Sequence, residues 1–323
     1  MRAVVCTALG EPETLEVVER PSPSCGPGQV RIRVWATGLN YVDALFVQGR
    51  YQIRPPLPFV PGSEVAGEVV EIGSEVEGWS TGDRVVASIG LGGFADEVLV
   101  AGSVPVRIPT NLSWGQAATL GQSYSTAWFA LRHRTVLAAG EWIVVAGAAG
   151  GLGLAFLDVA RMLGAQTIAA ASEPDRLRLC IERGAHEVVD YSTEDLKTRV
   201  REITGGGADV AADPVGGTRS EALLRSLGEG GRLLVLGFAG GDIPHLPTNQ
   251  VLLRNRSVVG VDWGAWAMAH PEDQRALFAE VLAAVEDRRL HPVEPTAYPL
   301  EQAGPALRDL LERRVVGKAC LTT

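Results

Sequence analysis

A glycine-rich segment, residues 146–153, has the composition of a phosphate-binding loop. It lies between a strand-like apolar run at 142–145 and a helix-like run that ends at Gly164. A loop in this position presents unpaired backbone N–H groups and the positive end of the helix dipole to an anion. Its spacing is close to the dinucleotide fingerprint G-x-G-x-x-G, with Ala148 in place of the first glycine. The alternative is a tight structural turn. We expect a dinucleotide pyrophosphate to bind at Ala149, Gly150, Gly151 and Leu152.

Side chains downstream of this loop favour NADP over NAD. An NAD site usually carries a carboxylate about 20 residues past the loop, and the residue found there is Ser172. A hydroxyl group leaves room for a 2′-phosphate, and Arg176, one helical turn further on, can donate charge-assisted hydrogen bonds to it. Glu173 would repel a phosphate, and Arg176 can also be read as an ordinary solvated helix residue. We predict NADPH as the cofactor.

The elements around the loop predict a parallel sheet. Five further strand-like runs follow the first, at residues 167–171, 187–189, 208–212, 232–236 and 257–261. Helical stretches separate the first five strands, which is typical of βαβ units in a parallel sheet covered on both faces. Glycine-containing segments follow the fourth and fifth strands at the sheet edge where ligands bind, although each is also compatible with a plain turn. From these edge segments and the end of the sixth strand we predict cofactor contacts at Gly217, Gly237, Phe238, Ala239, Asp262 and Trp263.

The remainder of the chain has a different pattern. Up to about residue 120, short apolar runs alternate with Gly and Pro, which indicates a β-barrel or rolled sheet. Residues 55–62 contain too many prolines for a helix or a central strand. Near the end we expect helices at 272–289 and 300–314 and a last strand at 315–321. We therefore predict one domain from residues 1–122 and 264–323 and a second from 123–263.

Composition narrows the class of protein. The 323 residues carry a formal net charge of −9, which argues against nucleic acid or an anionic membrane as partner. No apolar run approaches the roughly 18 residues of a membrane span, and the first residues do not read as a secretory signal. The four cysteines are widely scattered and form no C-x-x-C pair. We expect a cytoplasmic enzyme with buried thiols.

Seven short motifs occur along the chain, at residues 38–43 (GLNYVD), 61–67 (PGSEVAG), 82–85 (GDRV), 124–127 (YSTA), 148–153 (AAGGLG), 184–186 (GAH) and 317–318 (GK). Together they resemble the medium-chain dehydrogenase/reductase superfamily and, within it, the zinc-free quinone oxidoreductase (zeta-crystallin-like) branch. The resemblance implies a GroES-like β-barrel catalytic domain and a doubly wound Rossmann domain with a parallel six-stranded sheet. It also implies a homodimer, formed by pairing of sheet edge strands near residues 257–262.

The positions at which zinc relatives bind metal carry different chemistry in this chain. Those relatives hold catalytic zinc with a Cys, a His and a further Cys or acidic residue, and the matching residues are Asn40, Ser63 and Gln122. None of these is a thiolate or an imidazole, the ligands that zinc favours, and no histidine precedes His133. We therefore expect no metal, and a substrate such as a quinone or an enone that accepts hydride without a Lewis acid.

The resemblance also suggests roles for individual residues. Asn40 would line the active cleft and bind the nicotinamide side, its alternative being a turn-forming residue before a helix. Thr126, near an expected helix start, would contact the nicotinamide ribose or cap the helix. Tyr191 and Lys318 would approach the 2′-phosphate, although Lys318 can also be read as a surface lysine. Tyr51 is a candidate substrate contact or proton donor.

Two further features concern the acceptor. Trp263 and Trp266 would form an aromatic wall for a flat substrate or pack into a dimer interface. Quinone oxidoreductases often carry a tyrosine at the position of Leu45, so the preferred acceptor can differ from the usual quinones.

Three functions are compatible with these observations. The first is NADPH-dependent reduction of quinones. The second is NADPH-dependent reduction of a carbon–carbon double bond in an enone, an alkenal or an enoyl thioester, which would depend more on a proton donor such as Tyr51. The third is non-catalytic binding of NADPH.

Overall fold

The computed structural model describes residues 1–323. Its strands are β1 (Arg2–Val5), β2 (Glu16–Glu19), β3 (Gln29–Leu39), β4 (Glu64–Ile72), β5 (Arg84–Ser88), β6 (Glu97–Ala101), β7 (Val106–Arg107), β8 (Trp142–Ala146), β9 (Gln166–Ala171), β10 (Glu187–Asp190), β11 (Ala208–Asp213), β12 (Leu227–Val235), β13 (Ser257–Gly260), β14 (Thr296–Pro299) and β15 (Ala319–Thr322). Its α-helices are α1 (Tyr41–Val47), α2 (Trp114–Phe129), α3 (Gly151–Met162), α4 (Pro174–Glu182), α5 (Leu196–Thr204), α6 (Arg219–Ser226), α7 (Asn249–Leu252), α8 (Trp263–Ala269), α9 (Pro271–Glu286) and α10 (Ala303–Leu311).

The chain divides into two compact units. The first contains Met1–Gln122 and Pro292–Thr323, and the second contains Ser123–His291. The first boundary falls where the sequence predicts it, but the chain returns to the first unit at Pro292 instead of residue 264. The reason is that α9 packs within the second unit, where its Glu280 accepts a hydrogen bond of 3.1 Å from the Trp128 indole.

The second unit is built on a parallel six-stranded sheet with the strand order β10-β9-β8-β11-β12-β13. This is the order 3-2-1-4-5-6 of a doubly wound Rossmann sheet, and it confirms the predicted fold. All six strands lie where the sequence predicts them. Strand β12 begins earlier than expected, at Leu227, because Leu227 already pairs with Ala208 before an irregularity that precedes the regular ladder.

Buried residues position helix α3, and a glycine ends it. Its residues from Gly153 to Ala160 are buried, as expected for a helix covered by the sheet and its neighbours. Gly164 follows the helix with a φ of +82°, the left-handed conformation that commonly ends helices.

The first unit is a GroES-like barrel, as predicted. Its larger sheet has the order β14-β15-β3-β4-β5-β7, and β6 also pairs with β3. Residues of β3 from Val30 to Ala36 alternate between buried and more exposed, as in a strand that has one face on the core. The prolines at 55–62 lie outside any named strand or helix, and only Phe59 forms a bridge, to Cys6.

The end of the chain differs in detail from the prediction. The expected helix at 300–314 is a 3₁₀ turn at Leu300–Gln302 followed by α10, and the last strand begins only at Ala319. The residues between α10 and β15 are mostly irregular, and Arg313 and Gly317 have positive φ values there. No helix in residues 1–323 is long and apolar enough to cross a membrane.

Candidate functional site

The glycine loop lies at the carboxyl end of β8, as the sequence predicts. The backbone N–H of Ala148 donates to the carbonyl of Ala170 at 3.2 Å, and that of Gly150 donates to Gly147 at 3.0 Å. A Cβ atom on Gly153 would lie 2.5 Å from the Gly147 carbonyl oxygen, so only glycine allows this close approach. The N-cap residue Gly150 supplies no side-chain cap, and the first N–H groups of α3 are therefore available to an anion. The geometry fits a dinucleotide pyrophosphate.

A carboxylate organises the loop after β11. One oxygen of Asp213 accepts from the backbone N–H groups of Val215 at 3.0 Å and Gly216 at 2.9 Å. The other oxygen accepts from the Ser220 hydroxyl at the start of α6. Gly216 and Gly217 both have positive φ values, of 73° and 67°, which glycine adopts without strain. Asp213 therefore fixes the backbone at this part of the ligand-binding edge.

The loops after β11 and β12 are joined to each other by backbone hydrogen bonds. The N–H of Ala239 donates to Pro214 at 3.1 Å, and the N–H of Gly240 donates to Val215 at 2.7 Å. In the opposite direction, the N–H of Gly217 donates to Asp242 at 2.9 Å. The structure thus brings four predicted cofactor contacts together at one edge of the sheet: Gly217, Gly237, Phe238 and Ala239.

The residues predicted to select NADP lie at the carboxyl end of β9. Tyr191 is adjacent to Ser172, because its N–H donates to the carbonyl of Ala171 at 3.1 Å. Arg176 forms an ion pair with Glu173 through Nε at 2.9 Å, and its side chain is only 15% exposed. Arg176 is therefore not the solvated residue of the alternative interpretation, and Glu173 is partly neutralised.

One residue beside this group, Arg219, is not predicted from the sequence. The guanidinium of Arg219, the first residue of α6, stacks over the Tyr191 ring with its carbon atom 4.3 Å from the ring centroid. No motif in the sequence around Arg219 marks it as a site residue, and only the fold brings it to Tyr191.

A second group of polar residues lies buried in the first unit, around Asn40. The Asn40 amide nitrogen donates to Glu64 at 2.8 Å, and its amide oxygen accepts from the Lys318 ammonium at 2.7 Å. The other Glu64 oxygen accepts from the backbone N–H of Gln122 at 2.9 Å, and Ser63 lies 3.5 Å from the Asn40 amide nitrogen. The structure therefore brings together the three positions compared above with zinc ligands. Sequence reasoning missed Glu64 and the burial of Lys318.

The local fold explains this cluster, which we call the Asn40 cluster and define as Asn40, Asp43, Glu64 and Lys318. Asn40 directly follows β3 and is the N-cap of α1, and β15 pairs with β3 so that Ala319 lies opposite Leu39. Lys318 is thereby placed beside Asn40. A Cβ atom on Gly38 would lie 2.1 Å from the Ala118 carbonyl oxygen and 2.7 Å from Glu64, so the packing around Glu64 requires glycine at that position.

The fourth member of the cluster, Asp43, is fully buried. One of its carboxyl oxygens accepts from the backbone N–H of Asn40 at 2.8 Å, while the other has no hydrogen-bond partner. Burial raises the pKa of Asp43 to about 7; the hydrogen bond from Asn40 and the charge of Lys318 oppose this shift, and the charge of Glu64 adds to it.

Two predicted placements need correction. The Lys318 ammonium is not at the surface, because it donates to the Asn40 amide oxygen at 2.7 Å and the residue is 8% exposed. Its contact with the 2′-phosphate stays a prediction. Thr126 lies inside α2, which extends from Trp114 to Phe129, so it caps no helix start.

The aromatic residues after β13 pack within the second unit. The Trp266 ring stacks on Phe129 at 4.6 Å between centroids and on His270 at 5.6 Å. The Trp263 indole donates to Gln274 at 2.7 Å, and Asp262 caps α8 by accepting from Ala265 at 3.0 Å. These contacts give both tryptophans and Asp262 a structural role in the unit.

Tyr51 lies in the first unit, where its ring meets Phe46 edge-on at 4.9 Å between centroids. The ring packs against the core that contains Phe46 and Leu300. In residues 1–323, no group of three or more His, Cys, Asp or Glu side chains is arranged to hold a metal ion.

Two family descriptions match the chain. "Alcohol dehydrogenase GroES-like domain" matches residues 26–110, and "Zinc-binding dehydrogenase" matches residues 151–283. A quinone oxidoreductase-like protein 2 homolog of Nematostella vectensis is 38% identical and covers 100% of this chain and 89% of its own length. The quinone oxidoreductase of Rattus norvegicus is 32% identical, covering 96% of this chain and 94% of its own. The crystal structure of Escherichia coli quinone oxidoreductase complexed with NADPH superposes with a TM-score of 0.91 at 26% identity, covering 100% of both chains.

Proposed function

We propose that this chain, which belongs to the zinc-free quinone oxidoreductase branch of the medium-chain dehydrogenase/reductase superfamily, transfers reducing equivalents from NADPH to quinones without zinc. The observation that carries the proposal is the buried Asn40 amide. It stands where zinc relatives carry a metal ligand, and its oxygen already accepts a hydrogen bond from Lys318. A neutral amide engaged in this way is a poor zinc ligand.

The second unit offers the NADPH site of this proposal. The uncapped N–H groups at the start of α3 bind the pyrophosphate, and Ser172 and Arg176 bind the 2′-phosphate. Bound NADPH supplies the hydride. The two joined loops after β11 and β12 hold the cofactor in place, since their backbone is fixed by Asp213 and by hydrogen bonds between them.

The acceptor follows from the chemistry of the Asn40 cluster. Without a Lewis acid, reduction requires a substrate that delocalises the incoming charge onto its own oxygen, as a quinone does. Glu64 and Lys318 hold the two ends of the Asn40 amide in place. The amide can therefore orient the substrate without first changing its own position.

The acceptor class is tested by following NADPH oxidation with a panel of quinones, enones and an enoyl-CoA. We expect saturable turnover of 1,4-benzoquinone and little turnover of the other acceptors. Preferential turnover of enones would replace the proposal with a double-bond reductase. Tight binding of NADPH without turnover of any acceptor would indicate a non-catalytic binding protein.

Zinc independence is tested on the same reaction. We expect benzoquinone turnover to be unchanged by a zinc chelator, and metal analysis of the purified protein to find less than one zinc per chain. Loss of turnover on chelation that added zinc restores would contradict the proposal.

We also propose that the chain forms a homodimer through the edge of the parallel sheet. Strand β13 pairs with β12 on one side only, and Val258 on this strand is 43% exposed. An unpaired apolar edge is otherwise an aggregation hazard. Light scattering should give the mass of a dimer, and Val258→Lys should shift it toward the monomer. A monomeric wild type would overturn this proposal without affecting the proposed reaction.

A further inference from the structure

We propose that Arg219 is a specificity-determining residue that binds the 2′-phosphate of NADPH together with Arg176. This inference rests on the proposed use of NADPH. It concerns a residue whose position in the sequence gives no hint of such a role.

The position of Arg219 follows from two contacts. Its guanidinium stacks over the Tyr191 ring at 4.3 Å, and the backbone of Tyr191 is hydrogen-bonded to Ala171, the residue before Ser172. The start of α6, where Arg219 lies, is anchored because the neighbouring Ser220 hydroxyl donates to the buried Asp213 carboxylate. These contacts hold Arg219 on the Ser172 side of the sheet edge.

The charges of the group favour an anion at this place. Glu173 offsets the charge of Arg176, with which it forms an ion pair at 2.9 Å. The guanidinium of Arg219 forms no ion pair and no hydrogen bond with any residue of the chain, and the residue is half-buried. The two arginines and one carboxylate therefore leave one net positive charge, which Arg219 supplies. A phosphate monoester carries the complementary charge.

The stacking also gives Arg219 a suitable geometry. The carbon atom of the Arg219 guanidinium lies over the Tyr191 ring, and the N–H donors that do not face the ring stay open to an oxyanion. An arginine held in this way loses less conformational entropy on binding than a free one. Tyr191 acts through Arg219 and is therefore a positioning residue.

The test uses ligands that differ by the phosphate alone. Calorimetry measures the binding of 2′,5′-ADP and 5′-AMP, and of NADPH and NADH, to the full chain and to Arg219→Ala. We expect the substitution to weaken 2′,5′-ADP and NADPH by about 10- to 100-fold, the usual worth of a charge-assisted hydrogen bond. Binding of 5′-AMP and NADH should change by less than about twofold, which also shows that the variant is folded.

Two further variants sharpen the result. Arg225→Ala removes the same charge from the same helix, where Arg225 pairs with Glu221, and it should leave all four affinities unchanged. Arg219→Lys keeps the charge but loses the planar donor edge, and it should give an intermediate loss for 2′,5′-ADP.

Each other outcome has a definite meaning. If Arg219→Ala weakens both 2′,5′-ADP and 5′-AMP equally, Arg219 serves the adenosine and not the phosphate, and the inference is overturned. If it weakens neither ligand, the stacking on Tyr191 is structural only, which also overturns it. If the wild type itself shows no preference for 2′,5′-ADP over 5′-AMP, the proposed NADPH specificity fails instead.

Discussion

The Lys318 ammonium lies 2.7 Å from the amide oxygen of Asn40, and both residues are buried in the first unit. Lys318 also lies 3.6 Å from Glu64, which accepts from the other end of the same amide. The ammonium and the carboxylate therefore fix which way the Asn40 amide points. The chain has only two lysines, so a buried lysine here contrasts with the arginines at its surface.

Replacing Lys318 by Met should strongly destabilise the first unit. The substitution leaves the Glu64 charge buried without its cation and the Asn40 oxygen without a donor, which costs about 3–5 kcal/mol in comparable buried pairs. Urea unfolding measures the loss. The other lysine, Lys197, provides the control, since Lys197→Met should change the unfolding free energy by less than about 0.5 kcal/mol.

The double variant Lys318→Met with Glu64→Gln tests the cause of that loss. It removes both charges together, so it should be more stable than Lys318→Met alone. A double variant as unstable as the sum of the two single variants would mean that the residues do not interact.

The buried Asp43 should make stability fall as pH rises. Its pKa is about 7 in the folded chain against an ordinary aspartate value of 3.8, so between these values the folded state holds a proton that the unfolded state has lost. The neutral carboxyl therefore stabilises the folded state at low pH, and this stabilisation is lost as the pH rises through the pKa that Asp43 has in the folded chain. From about pH 5 to about pH 8 the loss is on the order of 2–3 kcal/mol.

Asp43→Asn removes this titration and should gain stability relative to the wild type by that amount over the same interval. Asp175, whose side chain is 82% exposed, is the matched control, and Asp175→Asn should keep a constant difference from the wild type. Urea unfolding of the three proteins at both pH values measures how the free energy of unfolding of each one changes with pH. An Asp43→Asn curve parallel to the wild-type curve would contradict the assigned protonation.

Glu173→Gln should tighten NADPH binding by about threefold to tenfold. The substitution removes a carboxylate from the phosphate side and releases Arg176 from its ion pair, while NADH has no phosphate to benefit. Calorimetry with both cofactors measures the ratio of their affinities. An equal gain for NADH would show that Glu173 does not act on the 2′-phosphate.

Gly153→Ala should disturb the loop that binds the pyrophosphate. The added Cβ atom would lie 2.5 Å from the Gly147 carbonyl oxygen and 2.6 Å from the Ala148 Cα atom, so the loop must move, at a cost of about 1–3 kcal/mol. NADPH affinity should fall by at least about tenfold, as measured by calorimetry. Gly206→Ala in the same unit meets no atom within 4 Å and should leave the NADPH affinity unchanged.

The sequence predicts the Rossmann sheet well because local signals determine it. Strand-like runs, the glycine loop and the helix-like run after it are each visible within a few residues of one another. The same approach places Thr126 near a helix start, although α2 already begins at Trp114. Similarly, the pattern of α9 predicts a helix but does not say which core it covers.

The polar sites depend on distant partners, and the sequence predicts them less well. From the sequence alone, Lys318 can be interpreted as a surface residue. In the structure, the pairing of β15 with β3 places it beside Asn40 and Glu64. Arg219 and Tyr191 meet only because α6 and the end of β10 lie near each other in the folded sheet. A local pattern identifies which residues have the right chemistry, and the fold alone decides which of them meet.

The hydrogen-bonded pair of loops after β11 and β12 also bears on how this protein can evolve. A side chain at Gly216 would lie 2.9 Å from both the Phe238 ring and the Asp242 carbonyl oxygen. Position 216 also has a φ of +73°, so a smaller residue at position 238 would relieve only one of these contacts and glycine remains required. Because backbone hydrogen bonds join the two loops, a mutation that displaces one of them also displaces the other, and the two loops can change only together.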